Sequence, residues 1–130
     1  MSERNVHAKR VEEKQERRAR AHQRSRQRVR GTAARPRLAV FKSIKHIYAQ
    51  LIDDEQGRTL TQASTLDSEV KAKLAGSSSD KGAARLVGET VASRAMALGL
   101  TKAVFDRGGY IYHGKVKEVA EGARKQGLDF

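Results

Sequence analysis

Ten consecutive residues, Asp106 to Lys115, read Asp-Arg-Gly-Gly-Tyr-Ile-Tyr-His-Gly-Lys and gather most of what this chain offers for ligand chemistry. Arg107, His113 and Lys115 bring hydrogen-bond donors, and Tyr110 and Tyr112 bring flat faces. The adjacent Gly108 and Gly109 let the backbone approach a ligand closely. That mixture suits a ligand that is rich in phosphate and carries bases. The same residues would also serve as a tight turn with a polar surface. The stretch follows a short apolar run, Ala103-Val104-Phe105, and precedes an amphipathic segment starting near Gly114. It is therefore a strand-to-helix connection, a common seat of function.

Charge favours the first reading. The 130 residues carry 27 Lys or Arg against 15 Asp or Glu, a net charge of +12. Residues 1–37 hold 13 of these cations against 4 acidic residues, so most of the excess lies in the first third of the chain. Arginine dominates there, and its planar fork pairs with phosphate in two-pronged fashion and stacks on bases. A polyanion, nucleic acid above all, is the expected partner. Arg20, Arg24 and Arg28 recur at four-residue spacing, so a helix would align them along a phosphate backbone, with Arg26 and Arg30 adding charge nearby. Residues 1–34 have too little apolar surface to offset their chain entropy and are expected to be disordered when free.

The chain has no cysteine, which excludes disulfides and thiolate metal sites and fits a reducing compartment. Its longest apolar runs, such as Leu38 to Phe41, fall far short of the ~20 residues that span a bilayer, so no membrane role is expected. An enzyme would need a phosphate loop of Gly-Lys-Ser/Thr type, paired histidines at zinc spacing, or a nucleophile beside a base, and none is legible. His46 and His113 read as hydrogen-bond contacts, and Asp106 as a residue that orients Arg107 or caps its loop, because a carboxylate facing phosphates repels them.

From Pro36 onward, periodicity defines one globular unit, residues 35–130. Arg37–Ser43 and His46–Asp53 alternate as strands, and Asp54-Glu55-Gln56-Gly57 turns into a weaker third strand, Arg58–Ser64. Val70 and Leu74 mark one or two helical turns. A long helix follows from Ser79 or Asp80 to about Leu98, with Gly88 in its middle explained by close packing on a sheet. Thr101–Phe105 is the fourth strand, and Val116, Val119, Ala120 and Ala123 form the inner face of the last helix. A right-handed crossover through the long helix sets the fourth strand parallel to the first. The expected fold is thus α/β, a small mixed four-stranded sheet in order 3-2-1-4 with two main helices packed on it and a basic arm ahead of it. In this topology Lys42, Ser43, Lys45 and His46, then Ser64 and Thr65, then Arg107–Lys115 converge on one sheet edge, where open sheets bind ligands. Alternation places Phe41 and Tyr48 on opposite faces, with Phe41 the better core residue.

Val29-Arg30-Gly31-Thr32, Arg35-Pro36-Arg37-Leu38-Ala39-Val40-Phe41-Lys42-Ser43 and His46-Ile47-Tyr48-Ala49-Gln50 resemble the bacterial large-subunit ribosomal protein eighteen, a 5S ribosomal RNA-binding family. Ala63-Ser64-Thr65-Leu66, Val104 to Tyr110, Tyr112 to Val116 and Gly127-Leu128-Asp129-Phe130 extend the likeness over most of residues 29–130. The resemblance implies a ribosome-bound, cytoplasmic protein without cofactor or catalysis. It would bind 5S ribosomal RNA and help dock it on the large-subunit (23S) RNA in the central protuberance, beside neighbouring ribosomal proteins. It further implies RNA contacts at Arg35, Arg37, Phe41, Lys42, Ser43, Lys45, His46, Tyr48, Gln50, Ser64, Thr65 and the loop from Arg107 through Lys115. Lys42 and Lys115 stand where the family commonly has arginine, and Ile111 where it commonly has a basic residue. A protein that coats any nucleic acid through its arm is the alternative, and it would lose nearly all binding along with the arm.

Overall fold

The computed structural model describes residues 13–20, 29–74, 81–107 and 114–130. Four strands, β1 (Arg37–Lys42), β2 (Ile47–Asp53), β3 (Arg58–Ser64) and β4 (Val104–Asp106), form one sheet in the order β3-β2-β1-β4. The helices are α1 (residues 13–20), α2 (Ser68–Lys73), α3 (Lys81–Ala97) and α4 (Gly114–Lys125). β1 and β2, and β2 and β3, pair antiparallel, and β4 lies parallel to β1 after the crossover. Ser79 and Asp80, expected to cap α3, lie outside the described residues.

Period-two alternation sorts β2 cleanly. Ile47, Ala49 and Leu51 are buried, while Tyr48, Gln50 and Ile52 are only partly so. Leu38 and Val40 of β1 lie opposite Leu51 and Ala49, and this face packs on Val87, Val91 and Ala95 of α3. Burying each such Val, Leu or Ile contributes about 1.5–3 kcal/mol, which fixes which face turns inward. Val116, Val119 and Ala123 of α4 join the same cluster. Among the described residues, no helix covers the opposite face.

Gly88 answers to α4, not to the sheet as expected. A Cβ there would meet the Val119 carbonyl, and a Cβ on Gly122 would meet the Arg85 carbonyl. The two helices touch backbone to backbone at this glycine pair, so neither position admits alanine without separating them. The fourth strand also begins later than expected. Thr101–Ala103 instead engage the C-terminal end, through Ala103 N donating to the Asp129 carbonyl and Asp129 N to the Thr101 carbonyl, both at 2.9 Å. Phe130 then stacks on Phe105, with ring centroids 5.6 Å apart, and the Arg124 guanidinium lies 4.5 Å over its ring.

Packing reaches back past Arg35 to Gly31, which is buried. A turn closed by Thr32 N to the Arg35 carbonyl (3.0 Å) follows, and the Pro36 carbonyl accepts from Val104 N at 2.9 Å. Residues 29–36 thus form a strap over one end of the sheet. Farther back, every residue of α1 is exposed, with Arg20 set 4.0 Å from Glu16 one turn away.

Candidate nucleic-acid interface

Strand register assembles a platform on the helix-free face. Phe41 pairs with Tyr48, and Tyr48 with Ser64, so these three form one row across β1, β2 and β3. Ala39, Gln50 and Gln62 form the next row, where the Gln50 amide reaches Gln62 Oε1 at 3.5 Å. Phe41 and Tyr48 therefore share a face, contrary to the expectation from alternation, and Phe41 is 39% exposed rather than part of the core. Directly paired residues on adjacent strands always point the same way, and the short connection between β1 and β2 sets this pairing.

The second row depends on an irregularity. Pairing near the turn runs Asp53 to Arg58 and Ile52 to Thr59, then shifts between Leu51 and Ile52, after which Leu51 faces Thr61. An extra residue on one strand reverses which side chains face each way beyond it. That shift delivers Gln62 and Ser64 to the platform. Next to it, Tyr48, Gln50, Gln62, Ser64, Leu66 and Asp67 line a depression of ≈ 200 Å³. The acidic member is already engaged. Asp67 Oδ2 accepts from Ser64 N at 3.1 Å and from Arg94 Nη1 at 2.8 Å. Arg94 also reaches the Gln62 carbonyl and Glu69, and its pKa is raised, foremost by the Asp67 hydrogen bond.

The β1–β2 hairpin borders the platform. Ser43 N donates to the His46 carbonyl at 2.8 Å and Ser43 Oγ accepts from His46 N at 3.1 Å, which leaves Ile44 and Lys45 outermost. His46 Nδ1 lies 3.0 Å from Thr65 Oγ1, and Thr65 Oγ1 accepts from Ile47 N at 3.1 Å. Two of the three segments expected at this edge thus meet, Lys42, Ser43, Lys45 and His46 lying beside Ser64, while most of the third, Arg107–Lys115, lies outside the described residues. Thr65 is wholly buried, however, and it holds His46 in place instead of meeting a ligand.

Arg37 is the largest correction among the expected contacts. It is 4% exposed, and its guanidinium is occupied inside the fold. Nε donates to Asp54 Oδ2 at 3.0 Å, Nη2 to Asp54 Oδ1 at 3.1 Å, and Nη1 to Asp106 Oδ2 at 2.8 Å. Burial alone would lower its pKa, but the hydrogen bonds and charge of Asp54, then of Asp106, outweigh that and leave it raised. Asp106, with no exposed surface, thus pairs with Arg37 and not with Arg107.

Comparison with known proteins gives this arrangement a context. Residues 12–130 match the family model described as ribosomal L18 of archaea, bacteria, mitochondria and chloroplasts. The chain belongs to the ribosomal L18 family. A protein named large ribosomal subunit protein uL18 from Acetivibrio thermocellus is 59% identical over 113 residues, covering 87% of this chain and 92% of that protein. Its namesake from Symbiobacterium thermophilum is 60% identical over 107 residues, covering 82% and 87%. One from Clostridium botulinum is 56% identical over 113 residues, covering 87% and 92%.

Within this L18-family fold the other expected contacts separate into groups. Phe41, Tyr48, Gln50 and Ser64 share the platform, and Lys42, Ser43, Lys45 and His46 the adjoining hairpin. Arg107 is exposed where β4 ends, and Gly114 and Lys115 open α4. Arg30 and Arg35 are exposed on the strap, and Arg20 on α1. Arg24, Arg26, Arg28, Gly108, Gly109, Tyr110, Tyr112 and His113 lie outside the described residues. Sequence reasoning missed Gln62 and Leu66, the latter 47% exposed beside the depression. Only the register shift could have exposed Gln62, and an apolar residue directly after Ser64-Thr65 was the sole hint of Leu66.

Proposed function

We propose that this chain is a structural constituent of the large ribosomal subunit that binds 5S ribosomal RNA and helps attach it to the 23S RNA in the central protuberance. The observation that carries this reading is the row of Phe41, Tyr48 and Ser64 beside Gln50 and Gln62 on a helix-free face. Residues picked out separately by their family resemblance are neighbours there. Sheet faces with exposed rings receive unstacked bases, and amides read base edges, so the chemistry suits single-stranded or looped RNA. Lys42 and Lys45 on the hairpin, with Arg107 at the strand end, supply phosphate contacts that orient the RNA but carry no sequence information.

The arm adds a second grip. Its cations suit neighbouring 23S RNA, and the outer helix surfaces are available to ribosomal proteins nearby. Among the described residues no helix is long and apolar enough to cross a membrane. We place the protein on cytoplasmic ribosomes, in a non-catalytic role. The direct test measures 5S RNA binding by the full chain carrying Tyr48→Ala or Gln62→Ala. The reading predicts weaker binding from both, and unchanged affinity in both would move the RNA off this face.

A further inference from the structure

We infer that Arg37, Asp54 and Asp106 are positioning residues for RNA binding: a buried latch that holds the root of the basic arm against the sheet, so that the arm's root and the platform act as one preorganised surface. The inference rests on the RNA-binding reading above. Asp54 clasps the arm from both sides, since Gly31 N donates to its Oδ2 at 2.7 Å and its own N donates to the Gly31 carbonyl at 3.0 Å. The same carboxylate holds Arg37, and Arg37 holds Asp106. The Arg37 guanidinium thus joins the β2–β3 turn to the end of β4, and Asp54 links that pair to the arm root at Gly31. Gly31 lies so close that a Cβ would collide with Arg37 N and the Ile52 carbonyl.

Buried ion pairs are seldom the most stable way to fill such a space, and their best-supported use is to fix one arrangement over others. The arrangement fixed here has a clear use. Arg30 and Arg35 flank the clasp on the exposed strap, and Arg107 directly follows Asp106. A phosphate cannot take Arg37 from its partners without facing two carboxylates. The latch therefore acts through geometry. Two binding modules joined at a fixed angle reach their sites together, whereas a swivelling joint lowers the effective concentration of the second.

The test uses the full chain with Gly31→Ala, which dislodges the strap while leaving every charge, and separately with Asp54→Ala. Each is also combined with Arg17, Arg18, Arg20, Arg24, Arg26 and Arg28 changed to Gln, which brings residues 1–34 close to neutral, and folding is checked by circular dichroism. Either variant should weaken 5S RNA binding about tenfold through lost effective concentration. The slope of log affinity against log salt should stay as in the wild type, because no phosphate contact is removed. In the arm-neutralised background the same change should cost no more than about twofold, since the two effects share one route. Asp54→Asn, which still accepts from Gly31 N, should recover part of the loss. Wild-type affinity in a folded Gly31→Ala or Asp54→Ala chain, or an equal loss with and without the arm cations, would overturn the latch while leaving the RNA reading intact. Failure of the wild-type chain to bind would overturn both.

Discussion

Replacing Arg37 with methionine removes three charged hydrogen bonds, those from Nε and Nη2 to Asp54 and from Nη1 to Asp106. It leaves the Asp106 carboxylate, which has no exposed surface, without the positive charge that faced it at 2.8 Å. Taken singly, such bonds contribute about 1.5–3 kcal/mol each. Their sum overstates the effect, because the guanidinium no longer has to be stripped of water. Breaking a buried pair from one side costs roughly 3–5 kcal/mol, a large share of the ~5–15 kcal/mol that holds a domain together. With a urea dependence near ~2 kcal/mol per molar, the unfolding midpoint should fall by about 2 M at unchanged slope. Adding Asp106→Asn to Arg37→Met should cost less than the sum of the two single changes, by roughly 1–3 kcal/mol, because the buried charge that the guanidinium had faced is gone. Arg35→Met, on the exposed strap, should stay within about 0.5 kcal/mol of wild type. The raised Arg37 pKa sets the pH behaviour: its contribution is complete below arginine's ordinary pKa and is lost only as pH climbs through the higher folded value. The Arg37→Met penalty should therefore be the same at neutral and mildly alkaline pH. A midpoint within error of wild type, or strict additivity with Asp106→Asn, would refute the reasoning.

Other perturbations separate packing from binding. Gly88→Ala gains about 1 kcal/mol of helix propensity, yet it should destabilise the chain by roughly 1–3 kcal/mol by forcing α4 away from α3. Thermal unfolding reads the sign directly, and a stabilised variant would contradict the backbone contact. Tyr48→Ala should cost roughly 1–3 kcal/mol of RNA affinity with its salt slope intact. Lys45→Ala should instead lower that slope by about 1. Arg94→Ala should cost only about 1 kcal/mol of stability, since the side chain is a third exposed. It should still speed amide exchange at Ser64, whose acceptor Asp67 it braces.

Local pattern sufficed where one physical cause acts alone. Alternation in Ile47–Asp53, the crossover length and the Gly57 turn pointed to the strand order and the parallel β4 that the structure has, although the sequence alone did not exclude other orders. Arg37 was expected at the RNA from the family resemblance alone, and nothing local reveals two carboxylates, 17 and 69 residues away, closing on it. Gly88 was read as a contact with the sheet because the sequence does not say which layer a helical glycine faces. Gln62 was hidden by the register shift, which exists only in the paired strands. Pairing also overruled alternation for Phe41, since faces of adjacent strands are compared across the sheet and not along the chain.

Competition binding tests the central claim most directly. The full chain is titrated with labelled 5S ribosomal RNA against transfer RNA and duplex DNA across a salt series. Recognition through the platform predicts that affinity falls with salt while preference for 5S RNA persists, because phosphate contacts supply strength and base and shape contacts supply choice. Equal competition by all three nucleic acids at every salt concentration would contradict the account and leave a protein that binds by charge alone.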